Sequence, residues 1–138
     1  MTGGRRRRVF ASTPLLIVRN LKAAAAFYER VLGYQEPGFW GEPPTFCMLH
    51  RDEHDLMLAE ADAPDEVRPN GRVGSWDVHL RVADLDAERG AILAAGGKIV
   101  EEKARTDYGM REIVIQDPDG HWICLGQDLE RRDEDRGR

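Results

Sequence analysis

The sequence predicts an α+β chain made of two βαβββ modules, whose curved mixed sheets form around a cleft. Three observations predict it. A strand-like run followed by an Ala-rich helical stretch occurs twice, at residues 13–33 and 77–97, at one offset of 64: Val18 onto Val82, Asn20 onto Asp84, Leu21 onto Leu85, Gly33 onto Gly97. A matched series at constant offset marks a repeated structural unit. Three further strand-like runs follow each helix. Between the copies, residues 61–73 carry two prolines, Asn70-Gly71 and several charges, and read as a linker.

The elements follow in order. Residues 1–8 include four consecutive arginines at 5–8 and read as a disordered basic arm. The first module is expected at residues 9–60. Its first strand is the apolar run 14–18. Asn20 caps the helix, because its side-chain oxygen can accept a free first-turn N–H. Leu21, Ala24, Phe27, Tyr28, Val31 and Leu32 recur at helical spacing and share a face. Gly33 stands where a left-handed residue closes the helix. Strands are expected at 34–40, 45–50 and 55–60, with a turn at 52–55.

The second module, residues 74–128, repeats the order. A strand at 78–82 precedes the cap Asp84 and a weaker helix with Leu85, Ile92 and Leu93, closed at Gly96/Gly97. Strands at 98–103, 110–116 and 121–127 follow, the last two joined by Asp117-Pro-Asp-Gly120, which has tight-turn chemistry. Residues 129–138 read as a charged, frayed tail. One helix covers only one face of a four-stranded sheet. The other face stays concave and open, and two such faces placed together enclose a cleft.

Composition sets the outer bounds. The chain has 138 residues, 41% hydrophobic and 33% charged, which suits one globular domain able to bury a core without disulfides. No apolar run reaches the roughly 20 residues of a bilayer span. No apolar stretch follows the arginines as it would in a secretory signal. A cytoplasmic location without membrane partners is expected. The net charge of −5 argues against a nucleic-acid partner. Cys47 and Cys124 lack zinc-ligand spacing and read as buried free thiols.

Two motifs carry a family resemblance. Val18-Arg-Asn-Leu21, Ala26-Phe-Tyr28 and Val31-Leu-Gly-Tyr34 resemble the first helix of the vicinal oxygen chelate (glyoxalase/bleomycin-resistance) superfamily. Tyr108-Gly-Met-Arg-Glu112, followed by Asp117-Pro-Asp-Gly-His-Trp-Ile-Cys-Leu-Gly-Gln127, resembles the final hairpin of its bleomycin-resistance branch. The resemblance runs from about Phe10 to Gln127 and implies the glyoxalase/bleomycin-resistance fold. Superfamily enzymes such as glyoxalase I and the extradiol dioxygenases hold a divalent metal with a His at the start of a module's first strand and a Glu in its last. Carried over by position, those sites fall on Thr13 and Asp77, and on Met57 and Cys124. Thr13 and Met57 are poor ligands for a hard ion, and a catalytic zinc needs about three protein ligands. The resemblance therefore implies no metal site and no cofactor. An Asp77/His79/Cys124 site is the alternative, since strand alternation puts Asp77 and His79 on one face. Otherwise Asp77 and His79 pair with each other, or with Arg81 and Glu112.

Strand parity places Leu15, His79 and Trp122 on the cleft side with these positions. Trp40 and Tyr108 stand at its mouth, where a ring can stack on a planar ligand. Core packing is the alternative for each aromatic. The expected ligand-binding set is Trp40, Met57, Asp77, His79, Tyr108, Glu112, Trp122 and Cys124. A His beside an Asp also raises acid–base chemistry. No nucleophile, phosphate loop or cofactor fingerprint accompanies it, so no catalytic residue is assigned. His50, His54 and His121 lie in or beside turns and are expected to be exposed.

The expected function is metal-free binding of a small, planar, antibiotic-like molecule. Bleomycin-resistance proteins, which the chain resembles, sequester a drug and work as homodimers with two clefts at the interface. The alternatives are a metal-dependent enzyme of glyoxalase or dioxygenase type with atypical ligands, and a non-catalytic protein-interaction domain.

Overall fold

The computed structural model describes residues 5–130. Part of the basic arm (residues 1–4) and most of the charged tail (131–138) lie outside the described residues. Residues 5–14 carry no regular secondary structure. The first module is β1 (Leu15–Val18), α1 (Leu21–Leu32), β2 (Gln35–Trp40), β3 (Phe46–Arg51) and β4 (His54–Glu60). Two short 3₁₀ turns, Pro64–Glu66 and Asn70–Val73, occupy the linker. The second module is β5 (Val78–Arg81), α2 (Leu85–Ala94), β6 (Lys98–Lys103), β7 (Met110–Gln116) and β8 (Trp122–Asp128). The sheets have equivalent orders, β1-β4-β3-β2 and β5-β8-β7-β6. In each, the first strand runs parallel to the last, and Leu15 opposite Met57 matches His79 opposite Cys124. This is the α+β fold of two βαβββ modules that the repeat predicts.

The helix caps form as expected. Asn20 Oδ1 accepts from the Ala23 amide at 3.0 Å, and Asp84 Oδ1 from Ala87 at 3.1 Å. Gly33 closes α1 at φ 72°. In the second module Gly96 takes the left-handed position, at φ 81°. Gly97 serves close packing instead: a Cβ there would lie 2.6 Å from Ile92 Cγ2 and 2.9 Å from Val31 Cγ1. The β3–β4 turn is made by Asp52 and Glu53, both left-handed at φ 48° and 69°.

Both helices lie on the same side of their sheets as one shared core. Leu16, Val18, Leu49 and Leu58 of the first sheet, Phe27, Tyr28 and Val31 of α1, and Leu85 and Ile92 of the second helical segment join Ile113, Ile115, Ile123 and Leu125 of the second sheet. Polar ties cross the module boundary. The Tyr28 hydroxyl donates to Asp117 Oδ2 at 2.7 Å, the Arg19 amide donates to Asp119 Oδ1 at 3.0 Å, and Arg51 pairs with Glu88. Since both helix-bearing faces meet in this core, the helix-free (bare) face of each sheet points away from it; on the first sheet it is partly open, whereas on the second its Met110, Glu112, Val114 and Cys124 are buried.

The turn after β7 corrects one expectation. His121 is 4% exposed, with Nδ1 2.8 Å from Asp117 Oδ2. Asp117 Oδ1 also accepts the Asp119 and His121 amides. The turn is folded into the module boundary, where its polar groups need partners. His50 and His54 are exposed, and His50 pairs with Asp55.

Candidate functional site

The two bare faces differ in chemistry. In the first sheet, alternation puts Leu15 and Ile17 of β1, Met57 and Ala59 of β4, Phe46 and Met48 of β3, and Trp40 of β2 on the bare side. Leu15, Ile17 and Trp40 remain 49%, 39% and 55% exposed. The Trp40 ring lies 5.6 Å from Phe46 and passes over Gly38, where a Cβ would come within 3.1 Å of it. This face is apolar and sulfur- and ring-rich.

The second bare face holds a hydrogen-bonded network. Glu112 on β7 is 2% exposed. Its two carboxylate oxygens each lie 2.7 Å from the Tyr108 hydroxyl, which donates to them, and Oε2 lies 3.0 Å from His79 Nε2. Cys124 on β8, the cross-strand partner of His79, is fully buried beside them. One ligand atom each of His79, Glu112 and Cys124 fall within 4.8 Å of one another. Burial, then the charge and hydrogen bond of Glu112, push the Cys124 thiol up to about 12. Tyr108 is also pushed up to about 12, by desolvation and then by its bond to Glu112. Trp76 packs on His79 with ring centroids 4.9 Å apart.

Expectation and structure part at two residues. Asp77 does not pair with His79. Its carboxylate accepts the backbone amides of Asn70 (2.8 Å), Gly71 (3.3 Å) and Trp122 (2.8 Å), and so ties the linker turn to β8. Trp122 lies on the parity expected for the bare face, but the linker turn packs on its indole. A Cβ at Gly71 would come 2.4 Å from Trp122 Cδ1, and the indole Nε1 donates to Gln116 Oε1 at 3.2 Å. His79, Tyr108, Glu112 and Cys124 come together; Trp40 and Met57 lie on the other sheet. Trp76 was not singled out from sequence. It precedes the strand, where alternation gives no signal, and a tryptophan three residues before His79 was the only hint.

The family model of the Glyoxalase/Bleomycin resistance protein/Dioxygenase superfamily matches residues 11–125. The chain belongs to this superfamily. No curated protein matches it. Among solved structures, a glyoxalase family protein from Bacillus anthracis aligns at TM-score 0.70 with 13% identity, covering 91% of this chain and 99% of that one. The bleomycin resistance determinant encoded on transposon Tn5 aligns at 0.67 with 24% identity, covering 87% and 98%. A fosfomycin resistance protein of Listeria monocytogenes, FosX, solved with Mn(II) and a dihydroxypropylphosphonic acid, aligns at 0.65 with 16% identity, covering 95% and 100%. At these identities the likeness is one of fold.

The superfamily's divalent metal can be tested against the residues present. Thr13, just before β1, offers a hydroxyl, and Met57 on β4 a thioether. On the second sheet, Asp77 is engaged by three backbone amides and Cys124 offers a buried thiol. These four positions do not form a cage for a hard divalent ion.

Proposed function

We propose that the chain is a metal-free small-molecule binding protein of the bleomycin-resistance kind, taking planar aromatic, antibiotic-like compounds without reacting on them. The observation that carries this reading is the bare face of the first sheet, where Leu15, Ile17 and Trp40 stand exposed around Phe46, Met48 and Met57. Contiguous apolar surface of this kind marks a binding site. The working unit in this reading is a homodimer. The bare faces point away from the shared core of one chain, so a second copy supplies the opposite wall of each cleft. Trp40, Met57, His79, Tyr108 and Glu112 then line the two walls, with Cys124 buried behind them. A stable dimer of this kind buries roughly 1,600 Å² or more.

Light scattering at micromolar concentration should give twice the chain mass. Titration with a cationic planar heterocycle such as bleomycin should change tryptophan emission saturably. Trp40→Ala should weaken that binding with little loss of stability, because its ring is more than half exposed. A monomer that shows no saturable change with any planar compound refutes the reading.

A second reading has one observation in its favour. The N, O and S donors of His79, Glu112 and Cys124 lie close enough for a soft divalent ion such as zinc. One zinc retained per chain and lost in Cys124→Ser would favour an enzyme of glyoxalase or dioxygenase type.

A further inference from the structure

A cavity of about 350 Å³ lies at the module boundary, where the linker meets the turn between β7 and β8. Arg19, Pro69, Arg72, Gln116, Asp119 and Gly120 are among its lining. That volume is at the small end of the range for ligand pockets. Its polar side chains are each fixed at one end and free at the other. Arg19, just after β1, donates from Nη1 to Asp119 Oδ1 at 3.2 Å and to the Asp119 carbonyl at 3.3 Å. Arg72, in the second linker turn, donates from Nη1 to the carbonyls of Arg68 at 3.0 Å and Pro69 at 3.1 Å. In both guanidiniums the Nε and Nη2 edge has no partner among the described residues. That edge presents two parallel N–H groups, the fork that holds an oxyanion bidentately.

Gln116 adds a third donor. The Trp122 indole N–H can only donate, so the atom it meets at 3.2 Å is the Gln116 oxygen. The Gln116 NH2 group is left with both its protons, and it too has no partner among the described residues. The carboxylate in the lining is already engaged: Asp119 is 9% exposed, and its Oδ1 accepts both the amide and the guanidinium of Arg19. Two cations and a neutral donor therefore border the cavity against one committed anion.

We propose that this cavity binds a phosphoryl dianion, as free phosphate or as a monoester, between Arg19 and Arg72 with the Gln116 NH2 donating to a further oxygen. A tetrahedral dianion has oxygens enough for both guanidinium edges and the amide, and its charge matches the two cations. The site shares no residue with the walls of the proposed cleft, so it stands or falls apart from that reading.

Inorganic phosphate and phenyl phosphate are the probes, titrated calorimetrically into the full chain at about pH 8, where a phosphoryl group is a dianion. Low ionic strength is used because salt screens exposed guanidiniums. One saturable site per chain is expected. Whichever probe binds more tightly identifies the source, and either one supports the proposal. Arg72→Gln should weaken binding roughly tenfold or more, the loss of charged hydrogen bonds. Gln116→Glu should weaken it at least as much, since it keeps an acceptor for the Trp122 indole but turns the free donor into a negative oxygen. Arg105→Gln, at a side chain paired with Glu130 elsewhere, should leave binding unchanged. Melting curves establish that each variant is folded, and Arg72 is exposed, so its variant keeps the test decisive if Gln116→Glu unfolds. No saturable binding of either probe below about 10 mM, or binding that survives Arg72→Gln within twofold, overturns the proposal.

Discussion

Tyr28→Phe removes one oxygen from the boundary between the modules. The Tyr28 ring is 1% exposed and packs edge-on against Phe27 and Tyr34, at 5.2 and 6.2 Å. Phenylalanine keeps all of that packing. What goes is the 2.7 Å bond to Asp117 Oδ2, on a carboxylate with no exposed surface. Asp117 retains two backbone amides at Oδ1 and the His121 ring at Oδ2. A hydrogen bond to a charged group contributes about 1.5–3 kcal/mol, so a loss of about 2 kcal/mol is expected. For a chain of this size that lowers the melting temperature by roughly 6–10 °C. Burial, then the charge and hydrogen bond of Asp117, raise the Tyr28 pKa, so the donor persists across the whole working pH range. Urea unfolding at pH 8 should show a lower midpoint with an unchanged slope. Tyr34→Phe is the control, since that ring is 5% exposed and its hydroxyl has no partner among the described residues. A loss below about 0.5 kcal/mol in Tyr28→Phe, or an equal loss in the control, would refute the reasoning.

Three further expectations follow from local geometry. Burial opposes the charge on His121, but the hydrogen bond and charge of Asp117, with Asp77 and Asp119 adding, raise its pKa. That contribution is full below the unfolded value of about 6.5 and is lost as pH rises through the raised folded value. Urea stability of the wild type relative to His121→Gln should therefore fall across that window, and a flat difference contradicts the pairing. Glu53→Gly should stabilise by about 1 kcal/mol in thermal melts, because Glu53 sits at φ 69° in a two-residue turn that favours glycine; a lower melting temperature would count against this. Gly71→Ala should release the linker turn, since its Cβ would lie 2.1 Å from the Gly120 carbonyl oxygen. Faster proteolysis within residues 61–76 is the readout, and unchanged resistance contradicts the packing.

The fold was legible because its signals are local and repeated. Asn20 and Asp84 cap the helices and mark where each module turns from strand to helix, and the strand ends fall within a residue of those expected. The site was legible in part. Parity correctly placed His79, Trp122 and Cys124 on one face. It could not show that Asp77 turns back to hold the linker, since three amides from residues 70, 71 and 122 meet there only after the chain has folded. Nor could it show that the linker lies on Trp122, or that Gly97 rather than Gly96 is the packing glycine. The burial of His121 was missed for a similar reason. Its partner Asp117 is local, but the Tyr28 that completes the cluster lies 89 residues away from Asp117 in sequence.

The shared core also bears on how the chain comes off the ribosome. Domains tend to form from the N-terminus as they emerge. Here the apolar face of α1 is completed by Ile113, Ile115, Ile123 and Leu125, and Tyr28 waits for Asp117. The first half therefore leaves the tunnel with Phe27, Val31 and Leu49 uncovered until the last hairpin has been translated. A nascent chain stalled in the linker exposes this apolar face, the kind of surface that aggregates.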